Sequence, residues 1–249
     1  MPVDRAVILA GGLGSRLLPY TTVLPKPLLP VGDRAILDIV VHQLAAAGVG
    51  HMTISTGHLA HLVRAVFGDG SAYGVRIDYA EEDEPLGTAG PMREIEGLDS
   101  TFIALNGDIL TTLDIRELVG AHRAAGNALT IAGTRRTVRA DYGVMLLDPD
   151  GDGPTTRLHG YDEKPETSHV VSMGIYVVEP RAVEHVPAEG RFDIPDLVLA
   201  LLAAGEPVGT LLHDGYWRDI GRHDDYEQAL EDYESVLPRL LPEPEVAAE

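Results

Sequence analysis

Cysteine is absent from this chain of 249 residues, and lysine is nearly so. Without a thiol, disulfide bonds, thiolate nucleophiles and cysteine-ligated zinc are excluded. Only two of the 19 basic residues are lysines, and both of them, Lys26 and Lys164, precede a proline. The planar guanidinium of arginine cannot replace a compact, rotatable ammonium in a tight phosphate site. We therefore expect both lysines to bind anions.

Positive charge and long apolar runs are also scarce. The 39 acidic residues give a formal net charge of −20, which argues against a nucleic-acid partner because phosphate binding needs a basic face. A small anionic substrate stays compatible with this charge if a few cations converge in one cleft. No apolar run is long enough to span a bilayer and no signal-peptide pattern is present, so we expect a cytoplasmic protein with no membrane partner.

Strand and helix patterns alternate through the first half of the chain. Four short apolar runs predict strands at Arg5–Leu9, Met52–Ser55, Val75–Tyr79 and Thr101–Leu105. Three further segments predict helices at Ala35–Ala47, Leu59–Phe67 and Asp114–Ala125. This alternation indicates an α/β fold, with a doubly wound, mostly parallel Rossmann-like sheet and helices on both of its faces. Ligands of such sheets bind at the carboxyl ends of the strands.

The pattern changes near Ala128, where short β-rich runs joined by turns begin. They predict strands at Leu129–Thr134, Gly143–Leu147, Arg157–Tyr161 and Val170–Val178, and later segments predict helices at Ile194–Ala204 and His223–Val236. We interpret residues 1–236 as a single domain with halves at about 1–127 and 128–236. The second half extends the sheet and adds a small mixed β lobe. The Pro/Glu-rich tail, residues 237–249, is expected to be disordered.

A glycine-rich loop follows the first predicted strand. The segment Ala10–Gly14 has three glycines in four positions, which lets backbone N–H groups approach a ligand closely. The dinucleotide fingerprint G-x-G-x-x-G fails because Leu17 stands at the third glycine position, and the P-loop pattern is absent. With Arg16 two residues further on, the loop still suits a nucleoside triphosphate.

Seven motifs are spread over nearly the whole chain. The longest is GGLGSRLLPYTTVLPKPLLPV, residues 11–31. Six shorter motifs follow at Pro85–Ala89, Asn106–Asp108, Asp141–Gly143, Glu163–Pro165, Gly174–Tyr176 and Trp217–Gly221. In content and order they resemble the sugar-1-phosphate nucleotidyltransferases, also called sugar-nucleotide pyrophosphorylases. The Glu-rich run before Pro85 is most similar to that of mannose- and heptose-1-phosphate guanylyltransferases.

The resemblance implies a specific transfer reaction between two small-molecule partners. An oxygen of a sugar 1-phosphate attacks the α-phosphorus of a nucleoside triphosphate in line, and pyrophosphate leaves. Positioning and charge neutralisation by cations and Mg²⁺ supply the catalysis of such transfers. Residues 1–127 would then bind the nucleotide, and residues 128–236 would bind the sugar.

The same resemblance implies roles for individual residues. Catalysis would fall to Arg16, Lys26, Asp108, Lys164 and Asp219. Among them Arg16 and Lys26 would bind the triphosphate, and Lys164 would bind the sugar phosphate. Asp108 and Asp219 would hold Mg²⁺, which accepts one or two carboxylates together with phosphate oxygens and water. Nucleotide contacts are implied at Ala10, Gly11, Gly12, Gly14, Glu82, Pro85, Gly87, Thr88 and Gly107.

Sugar contacts are implied at Gly143, Glu163, Lys164 and Ser172. Gly143 would leave space for the sugar ring, and Glu163 would accept hydrogen bonds from its hydroxyl groups. One departure from the family pattern lies nearby, because many relatives have Asn-Ala-Gly where this chain has Ser172-Met173-Gly174. A shorter Ser172 and a bulkier Met173 predict an altered sugar pocket.

The sequence leaves alternatives open for the nucleotide base and for the reaction class. Glu82 favours GTP, because a carboxylate can accept both adjacent donors of guanine, whereas a neutral amide suits uracil or thymine. UTP or dTTP, with glucose 1-phosphate for example, is the alternative, and so is reading of the base by the backbone. A metal-dependent glycosyltransferase and an inactive nucleotide-sugar-binding regulator are the other classes. The sequence does not identify the sugar, and a homo-oligomer is compatible with it.

Overall fold

The structure, a computed structural model, describes residues 3–82, 84–148 and 155–241. In this part the chain forms thirteen strands: β1 (Arg5–Ala10), β2 (Pro30–Val31), β3 (Arg34–Ala35), β4 (His51–Thr56), β5 (Arg76–Glu81), β6 (Phe102–Asn106), β7 (Ile109–Thr111), β8 (Leu129–Arg139), β9 (Gly143–Leu147), β10 (Leu158–Glu163), β11 (Glu166–Val178), β12 (Val208–Leu212) and β13 (Trp217–Asp219). Its six α-helices are α1 (Ile36–Ala46), α2 (Ala60–Phe67), α3 (Ile115–Ala125), α4 (Pro180–Val183), α5 (Ile194–Ala204) and α6 (His223–Leu240).

Seven of these strands form the central sheet, in the order β12-β8-β11-β6-β1-β4-β5. Strand β11 runs antiparallel to β8 and β6, and the other neighbouring pairs are parallel. Ala6, Val7 and Ile8 of β1 are completely buried, because helices cover the sheet on both sides. The prediction of a mostly parallel α/β sheet is confirmed.

Three hydrophobic clusters hold the helices in place. On one face of the sheet, α1, α2 and α3 pack through residues such as Leu37, Phe67 and Leu118. On the other face, α4 and α5 pack against Phe102 and Leu129, among others. The third cluster joins α6 to the outer side of α1 and to the chain around the ends of β1 and β13. The predicted arrangement of helices on both faces is therefore confirmed.

The predicted elements differ from the structure mainly in length. Helix α6 continues past Val236 to Leu240 with Pro238 inside it, so the predicted start of the tail at residue 237 is too early. Its buried Leu240 explains the extension, since the helix gains apolar contacts there. Residues 242–249 of the predicted tail lie outside the described residues. Among the helices that the structure describes, none combines the length and the apolar character needed to cross a bilayer.

The β lobe grows directly out of the sheet. Strands β8 and β11 continue beyond their neighbours as a two-stranded ribbon, in which residues 135–139 pair with residues 166–170. The hairpin β9–β10 is inserted between them in the chain. The sequence predicts a mixed lobe, but its described strand pairs are antiparallel, as expected for strands joined by turns. The sheet itself crosses the predicted boundary between the two halves.

Candidate active site

Two carboxylates meet at the carboxyl edge of the sheet although they are far apart in the chain. Asp108 follows β6 and immediately precedes β7, and Asp219 ends β13. Strands β7 and β13 pair in antiparallel register with Asp219 opposite Ile109, and the Ile220 N–H donates to the Asp108 carbonyl oxygen at 3.1 Å. The short β7–β13 pair therefore brings the two aspartates together.

Lys26 lies against both carboxylates. Its Nζ contacts Oδ2 of Asp108 and is 3.9 Å from Oδ1 of Asp219. Lys26 begins a 3-10 turn whose next two residues, Pro27 and Leu28, are buried. Only 12% of its side chain is exposed. The lysine is thus directed inward by a backbone that its apolar neighbours anchor.

Arg16 completes this group of charges. If Gly221 carried a Cβ atom, that atom would lie 3.6 Å from a guanidinium nitrogen of Arg16 and 3.7 Å from both carboxylate oxygens of Asp219. The two side chains therefore converge on Gly221, where a Cβ atom would be in ordinary van der Waals contact with both. We call Arg16, Lys26, Asp108 and Asp219 the charged cluster.

The electrostatics of the charged cluster favour binding of a cation. Burial, and after it the Asp108 carboxylate, raises the pKa of Asp219, while Lys26 and Arg16 act in the opposite direction. Oδ1 of Asp108 is buried and has no hydrogen-bond partner. The described residues contain no group of three or more His, Cys, Asp or Glu side chains that could enclose a metal ion. Asp108 and Asp219 are thus the carboxylates of the cluster that could bind one, with other ligands coming from water or substrate.

Buried neighbours anchor each member of the charged cluster. Leu17, Ile109 and Ile220, which adjoin Arg16, Asp108 and Asp219, are at most 2% exposed. Leu17 and Ile220 belong to the hydrophobic cluster around α6. This helix therefore helps to fix two segments that carry charged residues and are about 200 residues apart in the chain.

The glycine loop lies beside the charged cluster at the end of β1. The Gly107 N–H, next to Asp108, donates to the Leu9 carbonyl oxygen at 2.9 Å. A Cβ atom on Gly57 would lie 2.9 Å from the Gly11 carbonyl oxygen, so the two backbones are in close contact there. Nothing lies within 4 Å of the corresponding position at Gly12. The loop therefore packs on Gly57 at Gly11, and it has open space at Gly12.

The end of this loop also has a defined conformation. Gly14 has a φ of +62°, which disfavours other residues, and its carbonyl oxygen accepts a hydrogen bond from Thr21 Oγ1 at 2.9 Å. The Leu17 N–H donates to the same carbonyl oxygen. The position of Arg16 is therefore fixed by the turn at Gly14 as well as by Leu17.

Glu82 lies against the glycine loop but already has protein partners. Its Oε1 accepts a hydrogen bond from Ser55 at 2.5 Å, and its Oε2 accepts one from the Leu86 N–H at 3.0 Å. Oε1 is also 3.0 Å from the position of a Cβ atom on Gly11. The carboxylate thus ties the loop after β5 to β4, a contact that sequence reasoning missed. Each oxygen keeps a further acceptor site.

Gly87 and Thr88 are held by the start of α5. Asp193, the N-cap of that helix, accepts hydrogen bonds from both the N–H and the hydroxyl of Thr88, and the Thr88 hydroxyl accepts one from the Ile194 N–H. Gly87 has a φ of +84° and lies against the Phe192 carbonyl oxygen. These contacts join the first half of the chain to α5, and the hydroxyl of Thr88 already has hydrogen-bond partners within the protein. Pro85 remains exposed.

The hairpin β9–β10 pairs Gly143 with Glu163. The Tyr161 hydroxyl donates to Oε2 of Glu163 at 3.3 Å, and it lies where a Cβ atom of Gly143 would be. The Tyr161 hydroxyl thus occupies the space beside Gly143, and because it ends an exposed, rotatable side chain, the expected role of Gly143 in leaving room for a sugar ring stays a prediction. Lys164 is exposed with a φ of +47°. Within the described part of the chain, no hydrogen bond or ion pair connects it to the charged cluster.

Ser172 and Met173 face opposite sides of β11. Ser172 Oγ is 3.1 Å from the Tyr176 hydroxyl and accepts a hydrogen bond from the Gly174 N–H at 3.2 Å. Met173 is only 1% exposed and packs in the core, so its larger side chain could alter a sugar pocket only through packing, and the altered pocket stays a prediction. Its carbonyl oxygen accepts a hydrogen bond from Nε1 of Trp217 at 3.0 Å.

Comparison with known proteins decides the family. The chain matches the nucleotidyl transferase family over residues 5–236. It belongs to that family.

This chain has relatives whose names specify different bases. It is 32% identical to a UTP–glucose-1-phosphate uridylyltransferase of Synechocystis, with 91% of this chain covered, and 32% identical to a mannose-1-phosphate guanylyltransferase of Mycobacterium tuberculosis, with 89% covered. It spans about 62% of the length of both relatives. The structure of HddC from Yersinia pseudotuberculosis complexed with GMP-PN shares the fold, with a TM-score of 0.69, 24% identity, and coverage of 93% of this chain and 100% of that one.

Proposed function

We propose that this nucleotidyltransferase transfers a nucleotidyl group from a nucleoside triphosphate to a sugar 1-phosphate and releases pyrophosphate. The observation that carries the proposal is the charged cluster beside an open glycine loop at the carboxyl edge of the sheet. Two cationic side chains and two carboxylates converge there. The names of the relatives support the same reaction.

The chain's own residues supply binding and charge neutralisation. Backbone N–H groups of the loop from Gly11 to Gly14 approach the phosphates, and Arg16 and Lys26 neutralise the triphosphate. An oxygen of the sugar 1-phosphate forms a bond to the α-phosphorus, and the bond from that phosphorus to the bridging oxygen breaks. The bridging oxygen keeps the electron pair and leaves with pyrophosphate, whose charge the same two cations stabilise.

Asp108 and Asp219 would hold Mg²⁺. Two partly buried carboxylates, one with an oxygen that has no hydrogen-bond partner, form a hard-oxygen donor set that fits this ion. When bound, Mg²⁺ supplies Lewis-acid stabilisation of charge on the phosphate oxygens. The pairing of β7 with β13 positions the two aspartates for this role.

We propose GTP as the nucleotide, with UTP or dTTP as the alternative. Glu82 supports GTP because its carboxylate lies against Gly11 and keeps acceptor capacity for the two donors of guanine. If Glu82 reads the base, Glu82→Gln lowers kcat/KM for GTP relative to UTP. A wild type that prefers a pyrimidine, or a variant with an unchanged preference, contradicts this assignment.

The sugar side of the site belongs to the lobe. Lys164 would bind the sugar phosphate and Glu163 the sugar hydroxyls, and both are exposed and available to a ligand. Ser172 lies next to the buried Tyr176, which makes it the candidate polar contact at the base of the lobe.

Pyrophosphate release tests the whole proposal. We expect steady release when one of five nucleoside triphosphates is combined with one member of a panel of sugar 1-phosphates, and loss of that release in excess chelator. A glycosyltransferase would consume a nucleotide-sugar without releasing pyrophosphate, and an inactive regulator would bind nucleotide without turnover. Either result would replace the proposed reaction.

A further inference from the structure

Lys26 contacts different partners from those that the proposed function gives it. Its ammonium lies on the two carboxylates proposed for Mg²⁺, touching Asp108 Oδ2 and approaching Asp219 Oδ1 to 3.9 Å. A divalent cation that binds the same carboxylates is repelled by this ammonium, because the two positive charges would lie only a few ångströms apart.

The carboxylate pair needs a counter-ion whenever no metal is present. Asp108 and Asp219 lie close enough for one ammonium to reach both carboxylates, so their negative charges repel each other when no cation is bound. Arg16 is exposed and approaches Asp219 from the side of Gly221, whereas Lys26 is enclosed, contacts Asp108 and lies 3.9 Å from Asp219. Lys26 is thus the cation best placed to balance the pair.

The local structure lets the ammonium move without moving the backbone. Pro25, Pro27 and Leu28 are buried around Lys26, which fixes its main chain. Its flexible four-carbon side chain can rotate about its bonds and so move Nζ from the carboxylates to a phosphate beside them. The planar guanidinium of an arginine would keep its charge but would make this exchange with difficulty.

We propose that Lys26 is the resident counter-ion of Asp108 and Asp219, which a divalent cation displaces when nucleotide is present. The exchange transfers the ammonium to the triphosphate, so that metal and nucleotide bind cooperatively and the metal alone binds weakly. This inference rests on the proposed function for the identity of the anionic ligand. The competition between Lys26 and a metal ion can be measured without turnover.

Mn²⁺ titration without nucleotide, followed by the electron paramagnetic resonance signal of the free ion, tests the exchange. We expect Lys26→Met to bind Mn²⁺ at least about tenfold more tightly than wild type, because a repelling charge is removed from contact range. Lys26→Arg keeps the charge and should bind Mn²⁺ as weakly as wild type. Arg76→Met removes one positive charge at the opposite edge of the sheet and should also match wild type.

Two outcomes would overturn the proposal. In one, Lys26→Met binds Mn²⁺ no more tightly than wild type. In the other, Lys26→Arg tightens binding as much as Lys26→Met does, which would assign the effect to packing instead of charge. Adding a non-hydrolysable triphosphate should tighten Mn²⁺ binding more in wild type than in Lys26→Met. If wild type releases no pyrophosphate but the variants show the expected order of Mn²⁺ affinities, the proposed reaction is rejected. The role of Lys26 as counter-ion is then retained.

Discussion

The charged cluster and the hairpin of the β lobe differ sharply in how the protein supports them. In the cluster, Lys26 and Asp108 have 12% and 20% of their side chains exposed, Arg16 and Asp219 are more open, and buried residues adjoin each charge. In the hairpin, Met145 and Tyr161 are 60% and 59% exposed although they face each other across β9 and β10. One region is ordered by the protein's own contacts, and the other leaves its surface free for a ligand.

This difference suggests a division of labour for the proposed reaction. A preorganised group of charges stabilises a transition state without reorganisation at the moment of reaction. An open lobe can instead adapt to the sugar, and the substrate supplies part of the contacts that complete it. Substitutions in the cluster should therefore act on turnover, and those in the lobe on substrate affinity.

The largest effect is expected from the cluster. Asp108→Asn should keep the fold, since the amide is isosteric, and should lower kcat by about 10²–10³, the scale for losing one preorganised charged group. Steady-state kinetics at saturating substrates and a urea denaturation curve measure the two properties. Asp162→Asn removes one carboxylate from the exposed hairpin and serves as control. Ordinary turnover of Asp108→Asn at normal Mg²⁺ concentration would reject the metal role.

A substitution in the lobe should change KM for the sugar 1-phosphate more than kcat. Lys164→Ala should raise KM for the sugar 1-phosphate and lower kcat/KM by about 10², because one charge on the substrate phosphate loses its partner. The KM for the nucleotide should change little. A fall in kcat alone, with an unchanged KM for the sugar 1-phosphate, would show that the lobe is as preorganised as the cluster.

A smaller effect is expected where the glycine loop touches β4. Gly57→Ala places a Cβ atom 2.9 Å from the Gly11 carbonyl oxygen, so the loop must shift by part of an ångström. We expect KM for the nucleotide to rise about tenfold, below the roughly 10²-fold cost of a 1 Å misplacement. Gly120→Ala, in the middle of α3 with nothing near its Cβ position, is the matched control. That control should leave kinetics unchanged and stabilise the fold by about 0.5–1 kcal/mol.

The smallest effect concerns stability at the opposite edge of the sheet. Burial acts to raise the pKa of Glu179, but hydrogen bonds from Thr101 and His122 outweigh it and hold the pKa below its ordinary value of 4.5. Such a carboxylate stabilises the fold above its unfolded pKa, and the contribution is lost as the pH falls through the folded pKa.

Glu179→Gln should therefore be less stable than wild type near pH 7, and the difference should shrink as the pH falls below about 4.5. Urea unfolding of both proteins across this pH range measures the difference in the free energy of unfolding. A difference that stays constant down to the lowest pH would show that the carboxylate charge is not what stabilises this edge.

The sequence predicts the fold class and the residues of the charged cluster because both depend on local patterns. Alternating apolar runs are long enough to identify β1 and α1, and motifs identify Lys26 and Asp108. The pairing of β7 with β13 could not be predicted, since three-residue strands carry no periodicity.

Contacts between distant segments were missed for the same physical reason. The Ser55 hydroxyl on Glu82 and the Asp193 cap on Thr88 join residues whose separation in the chain carries no local signal. Tyr161 over Gly143 depends on the register of a hairpin, which the sequence leaves undefined. The alternation of β11 across its sheet explains why Met173 faces the core and Ser172 does not.

The length of β11 limits how this lobe could be exchanged by engineering. Its 13 residues run from the lobe into the core as one strand that is irregular near Gly174. A graft cut at residues 128 and 178 would therefore disturb the sheet, including the register shift between Ser172 and Tyr176. The hydrogen bond from the Ala140 N–H to the Pro165 carbonyl oxygen closes the ribbon beyond β8 and β11. If the lobe sets sugar preference as proposed, cuts next to Ala140 and Pro165 would exchange it among relatives without disturbing the sheet.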